Sequence, residues 1–404
     1  MQRLFLLAAR NLLRNRRRTW LTLLALAVGV FAVVGVRGFL NGLQGSLILG
    51  ITEGSMGAIQ IHRRGFLASI ETTPLTPNIE WSERLLARIA AVPGVKEVTP
   101  RIAFAGMVSV GDETVFAMLT GVDPERELKV CPRRTSALTR GRWLKAGEAE
   151  SALGMELAAG LHAEPGARTA IISSDVDGVM NAADTTLVAH LAALTQGEKK
   201  LLLLPLALAQ EILRMPGRVT ELAVRVERLD EVEEVALRLS TALGPDYEVH
   251  TWKSFATFVK DIQENQNRAL DVITSIFLVI ILMGIMNTLL MSVLERVREI
   301  GTMMAVGAKR RQVLTLFVIE ALLLGASGSL LGTGLGYAFV SFLGSRGITL
   351  TTPGASLPQL LIPEISVGFL ARLVILCMVG AAISALYPAW KAARLRPVEA
   401  LAHV

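Results

Sequence analysis

Ser327 stands in a Gly325-Ala326-Ser327-Gly328 segment, a spacing that suits a nucleophile inside a membrane. Such a serine needs a histidine base within reach. Of the five histidines, His62, His162, His190 and His250 fall between two widely separated apolar runs and His403 stands near the C-terminus, so hydrolytic chemistry is not expected. There is no HExxH zinc motif and no glycine-rich phosphate loop ending in Gly-Lys. Asp175 and Asp177 come near His162 and His190 without ligand spacing and read as turn and surface residues. The two cysteines, Cys131 and Cys377, offer neither metal nor disulfide spacing. No catalytic, cofactor-binding or metal-ligating set is therefore expected. What remains is charge at helical spacing. Glu295, Arg296, Arg298 and Glu299 alternate in sign, and Gly301 and Gly307 bracket a turn-sized block. A helix here would give a soluble partner a rigid handle. Glu320 stands alone in an apolar run, where an ionisable group is a functional candidate by default. Its expected role is to pair with a cation of the 309–311 cluster or to cap a neighbouring helix.

The surroundings of these charges are apolar. The chain has 404 residues, 52% hydrophobic and 19% charged, with a mean hydropathy of +0.49. Runs at 20–40, 272–294, 314–343 and 367–390 each meet the roughly 20 residues needed to cross a bilayer. Arg3, Arg10, Arg14, Arg16, Arg17 and Arg18 precede the first run, five cations fill 295–312, and Lys391, Arg394 and Arg396 follow the last. Short basic loops stay on the cytoplasmic side, so both termini and the 295–312 segment are expected inside. The segment 344–366 holds Arg346 as its one cation and is expected outside. The net charge of +6 belongs to these inner flanks and points to anionic lipid rather than nucleic acid. The first run is too long for a cleaved leader and reads as a retained anchor. Before it, residues 1–18 read as a cytoplasmic amphipathic helix, with Arg3, Arg10, Arg14 and Arg17 on one face and Phe5, Ala8 and Leu12 opposite. Arg37 and Arg372 sit near outer span ends and can snorkel.

Small residues recur every fourth position at Gly284, Thr288 and Ser292, and again at Gly328, Gly332 and Gly336. That spacing lets helix backbones approach closely, within the chain or across a dimer. The spans carry almost no polar face and do not read as a solute path.

Between the first two spans lies a large extracytoplasmic region, 41–268, patterned as mixed α/β. Strands are expected at 58–62 and 95–104, with a helix at 82–91 between them, followed by a hairpin at Gly111-Asp112. The order returns as a strand at 220–227, a helix at 229–243 and a strand at 247–251. Two such halves suggest one split α/β subdomain, with an insertion at about 108–215 forming a second, more β-rich subdomain. Leu40, Leu43, Leu47 and Ile51, and later Phe255, Phe258, Val259 and Ile262, extend helical stripes outward from the first and second spans, as a stalk would. The fold class expected is an α-helical polytopic membrane protein with four transmembrane helices plus a large mixed α/β extracytoplasmic domain between helices 1 and 2.

These residues resemble a family. AARNLLRNRRRTWLTLLALAVGV (8–30), ERVREIGTMMAVGAKRRQVLTLFVIEALLLG (295–325) and YPAWKAARLRPVEAL (387–401) resemble the three collinear signatures of FtsX-like/MacB-like ABC-transporter permeases of the mechanotransmission type. The layout is most similar to the lipoprotein-releasing LolC/LolE-type branch. The resemblance implies a cytoplasmic coupling helix at about 295–308, carried by Glu295, Arg296, Arg298, Glu299, Gly301, Ala305, Gly307 and Ala308. It implies a separate ABC ATPase that binds ATP and Mg, a second permease protomer (homodimer or paralogue heterodimer), and a periplasmic acceptor or adaptor. Its site would be a bacterial inner membrane, with the large domain periplasmic. Lipoprotein release is the leading expectation. MacB-like efflux of peptides or antibiotics, and FtsX-like regulation of a cell-wall hydrolase, are the alternatives.

Overall fold

A computed structural model describes residues 2–14, 16–68, 74–194, 196–255, 257–351, 356 and 358–394. The chain opens with α1 (Gln2–Arg14) and α2 (Arg16–Thr52). It continues through β1 (Ile59–Arg63), α3 (Glu83–Ala90), β2 (Val95–Val110), β3 (Glu113–Val122) and α4 (Pro124–Val130). Next come β4 (Leu138–Gly141), β5 (Glu150–Gly154), β6 (Arg168–Ser174), β7 (Met180–Leu191) and β8 (Leu201–Pro205). β9 (Glu221–Val226), α5 (Val232–Leu243) and β10 (Tyr247–Thr251) close this stretch. The last helices are α6 (Thr257–Glu295), α7 (Val297–Ala305), α8 (Arg310–Arg346) and α9 (Val367–Ala393). The chain divides into two compact units: Met1–Gln44 with Gln263–Ile348 and Leu361–Val404, and Gly45–Ile262 with Thr349–Leu360.

Thr19–Thr52, whose residues to Gln44 belong to the first unit, and Glu264–Glu295, Arg310–Arg346 and Val367–Ala393 of that unit are four helical stretches long and apolar enough to cross a membrane. At 1.5 Å per residue, the 37 residues of α2 and the 39 of α6 exceed a ~30 Å hydrocarbon core. Their ends meet where Gln44 Nε2 donates to Gln266 Oε1 at 2.9 Å. The apolar centre is built from Leu26, Val30 and Val34 of α2, Ile285 and Leu289 of α6, Ala321 of α8, and Cys377, Ala381 and Ala385 of α9. Side chains such as Leu24, Ile280 and Leu335 face outward, as lipid contact requires. Arg37 pairs with Asp271 at 3.9 Å and lies over the Phe369 ring; Arg372 is exposed. The amphipathic helix is shorter than the sequence implies. α1 stops at Arg14, and Arg16 to Arg18 already belong to α2. Thr19 Oγ1 donates to the Leu12 carbonyl at 2.8 Å, satisfying one of the acceptors a helix end leaves open. Phe5 is half exposed, while Ala8 is buried. Arg3 lies outside the residues whose side chains are described.

In the second unit, β10-β1-β9-β2 form a sheet with α3 linking β1 to β2 and α5 linking β9 to β10. This is a split βαβ arrangement. Ser82 Oγ caps α3 by accepting from Leu85 N at 3.3 Å. Leu86 and Ile89 of α3 and Val235 and Leu239 of α5 pack onto the sheet's core. The insertion is not set off by a break. β2 runs 16 residues to Val110, beyond the expected end at 104. Its first half pairs with β9, and its second half pairs with β3 and β6. Pairing then continues β3–β8–β5–β7–β6 and returns to β2. The inserted strands therefore close into a ring that shares one long strand with the split sheet, which leaves fewer open edges. Phe255 ends a separate short helix, Trp252–Phe255; the side chains of Phe258, Val259 and Ile262 lie outside the described residues.

Candidate coupling site

α7 is a short amphipathic helix. Arg296 interrupts the helical run between α6 and α7, and Gly307 turns the chain toward α8 with φ +100°, a conformation that disfavours any residue with a Cβ. Val297, Ile300 and Gly301 are buried, and Ile300 packs with Val293, Val313, Phe317, Ala389 and Ala392 at the ends of the neighbouring helices. The opposite face exposes Arg298, Thr302 and Ala305, and it ends at Val306, 85% exposed. The expected coupling helix over 295–308 is thus trimmed at both ends: Glu295 completes α6, and Gly307 and Ala308 lie in the turn.

The alternating charges are not a free handle. Glu299 Oε1 accepts from Arg14 Nη1 at 2.7 Å, and Oε2 accepts from Arg296 Nε at 3.0 Å. Arg296 Nη1 also reaches Glu320 Oε1 at 3.2 Å, and Asn11 Nδ2 donates to the same oxygen at 2.7 Å. Burial pushes the Glu299 carboxyl up, but the Arg296 and Arg14 guanidiniums more than offset it and hold it below the usual carboxylate range. A chain of ion pairs therefore joins α1, α7 and α8. The expected partner of Glu320 is corrected here. Lys309, Arg310 and Arg311 are exposed around the start of α8, up to three turns away, whereas Arg296 enters from the α6–α7 junction. Asn11 and Arg14 are members that sequence reasoning missed. Their one visible signal is that Arg10 and Arg14 are four residues apart, on one face of α1.

The small-residue stripes have different surroundings. A Cβ added at Gly332 would lie 2.6 Å from the Ala27 carbonyl oxygen, one at Gly336 would lie 2.7 Å from Val34 Cβ, and one at Gly328 would collide with Leu26. This stripe seats α8 on α2. Thr288 shares a 3.0 Å hydroxyl hydrogen bond with Thr22, and Ser292 lines a small cavity of about 30 Å³ with Asn11, Arg296, Glu320 and three leucines. Gly284 has nothing within 4 Å of its Cβ position. Ser327 Oγ donates to the Leu323 carbonyl of its own helix at 2.6 Å.

A second polar group, in the second unit, has no sequence signature. Arg101 grips Glu127 through two 2.8 Å bonds and reaches Glu221 at 3.3 Å. Arg134 bonds Glu127 at 2.6 Å and Glu198 at 3.2 Å. All five side chains are nearly fully buried. Burial pushes the Glu127 carboxyl up, and the two guanidiniums outweigh it and hold it below its usual range. Asp175 is also buried, contrary to its reading as a surface residue, because its carboxylate accepts from the Asp177 and Val179 backbone amides and from Asn181.

The MacB-like periplasmic core domain profile matches residues 19–242, more than half of the chain, and the FtsX-like permease C-terminal profile matches 272–397. A macrolide export ATP-binding/permease protein MacB from Bdellovibrio bacteriovorus is 26% identical over 97% of this chain and 60% of its own length. The ABC transporter permease YknZ of Bacillus subtilis is 31% identical over 45% of this chain and 44% of its own length. The chain thus spans no more than 60% of either of these curated relatives. The crystal structure of the periplasmic region of MacB from Actinobacillus actinomycetemcomitans aligns with 53% of this chain and 95% of that one, at 14% identity and a TM-score of 0.37. The chain belongs to the family of FtsX/MacB-like ABC permeases.

Proposed function

We propose that this chain is the permease subunit of an ABC transporter, driven by a separate ATPase subunit and working as a lever. The observation that carries the reading is α7, which exposes Arg298, Thr302 and Val306 on one face and is tied on the other to α1 and α8 by ion pairs and apolar packing. A partner pressing on the exposed face would move the span ends rather than a loose loop. α2 and α6 each continue without a break from the span-bearing unit into the outer unit, which gives motion a helical route. In this reading the basic flanks and both termini lie in the cytoplasm, the outer unit lies in the periplasm, and a second protomer completes the transporter. The spans carry almost no polar face to line a path for solute, which favours work done beyond the membrane over passage through a pore.

The cargo in this reading is amphipathic and is handed to a periplasmic acceptor or adaptor. The layout of the chain supports lipoprotein release, and the name of its MacB relatives, macrolide export proteins, supports efflux of a small amphipathic molecule instead. Reconstitution with the cognate ATPase tests the lever. Val306→Asp places a charge on the exposed face without touching the ion pairs, so ATP should still be hydrolysed while permease-dependent stimulation falls. Normal ATPase binding and stimulation in that variant would remove α7 as the contact.

A further inference from the structure

Beside the coupling site lies a half-open cavity of about 270 Å³ that the lever does not use. Its wall includes Arg10 and Arg14 of α1, Arg296 and Glu299 near α7, and the apolar side chains Leu7 and Leu316. Three guanidiniums line it against Glu299 and, behind Arg296, Glu320, so one positive charge is left uncompensated. Arg10 forms no ion pair among the described residues. Glu299 takes a single nitrogen of Arg14, whose guanidinium has five N–H donors and whose side chain is 72% exposed. The volume is below that of a pocket for a whole drug-sized ligand and suits a compact anionic group. Phe5 and Leu6 on α1, and Trp20 and Leu21 near the start of α2, are exposed apolar side chains on the two helices that flank Arg14 in the chain. They offer an apolar surface on which an acyl chain could lie while its headgroup enters the cavity.

We infer that this cavity is a binding site for the phosphate headgroup of an anionic phospholipid of the inner leaflet, held by Arg10, Arg14 and Arg296. Basic pockets between helices on the cytoplasmic side bind such headgroups through charge, and the guanidinium fork matches phosphate geometry. Because Arg14 and Arg296 also hold Glu299, the lipid would share donors with the carboxylate that tethers α7. The inference rests on the membrane orientation proposed above but not on any ATPase partner, so failure to find an ATPase would leave it standing.

The test uses the full chain, delipidated in a neutral detergent and titrated separately with phosphatidylglycerol, phosphatidylcholine and inorganic phosphate. Thermal stability and the lipid retained in native mass spectrometry are read. Phosphatidylglycerol is expected to stabilise the protein and to stay bound at one molecule per chain, while the other two additives do neither. Arg10→Gln should weaken that response about fivefold, and Arg10→Lys should recover part of it. Arg310→Gln, which removes an exposed cation outside the cavity, should leave the response intact. The inference is overturned if Arg10→Gln titrates like the wild type, if Arg310→Gln weakens the response equally, or if phosphatidylcholine is held as well. Stabilisation by inorganic phosphate alone would also overturn it, by making the cavity a site for free anions.

Discussion

Replacing Arg296 with Met should loosen α7 by a calculable amount. The substitution takes the only described cation from Glu320, which is 2% exposed, and leaves it the single hydrogen bond from Asn11. Removing one partner of a buried ion pair costs about 3–5 kcal/mol, because the remaining charge stays desolvated. The Arg296 side chain is 21% exposed and Asn11 persists, so the lower end, about 3 kcal/mol, applies. Glu299 keeps Arg14, so α7 should open locally rather than detach. About 3 kcal/mol corresponds to an opening population roughly 10²-fold larger. Hydrogen exchange of the 297–305 amides in lipid nanodiscs should accelerate by that factor. The double variant Arg296→Met, Glu320→Leu removes the stranded charge as well, and most of the protection should return. Wild-type exchange in the single variant, or exchange in the double variant as fast as in the single, would refute the argument that the ion pair tethers α7.

Other outcomes follow from the same structure. Gly332→Val should drive α8 away from the Ala27 carbonyl and Val30, costing about 1–3 kcal/mol, measurable as a lower melting temperature in detergent. The methyl of Gly284→Ala meets nothing among the described residues and should leave that temperature unchanged; loss of the dimer on cross-linking would place Gly284 against a second copy. Glu127→Gln leaves Arg101 with Glu221 and Arg134 with Glu198 as their remaining described carboxylates and should destabilise the second unit by about 3 kcal/mol, the lower end for breaking a buried pair, seen as faster exchange in β2. Acid should loosen the same unit in steps. Burial lowers the His62 pKa below 6.5 despite the opposing pull of Glu221, so the folded state binds fewer protons there than the unfolded chain. That contribution is complete above about pH 6.5 and is lost as pH falls through the folded value. Glu127, held below 4.5, adds a loss of the same sign at lower pH; after correction for the intrinsic pH dependence of amide exchange, protection should fall in β1 below about pH 6.5 and in β2 below about pH 4.5.

The apolar runs, the basic flanks and the alternating strands are local patterns, and a chain reader can see them because each is written within a few turns of helix or one strand. The charges at 295–299 and the lone Glu320 were legible in the same way as residues in unusual company. Their pairing was not. Arg296 and Glu320 are 24 residues apart, and Asn11 and Glu320 are 309 apart; nothing local distinguishes Arg296 from Arg310 as the partner. Likewise, four-residue spacing marked both small-residue stripes, but only packing decided that Gly332 meets α2 while a Cβ at Gly284 meets nothing among the described residues. Composition gave no hint that Arg101 and Glu127 would be buried together, since a buried charge is tolerable only once a distant opposite charge arrives to neutralise it. Hydrophobic burial is set by stretches of sequence, whereas ion pairs, close helix contacts and the closing of the strand ring depend on which remote surfaces meet, and that is decided by the tertiary fold.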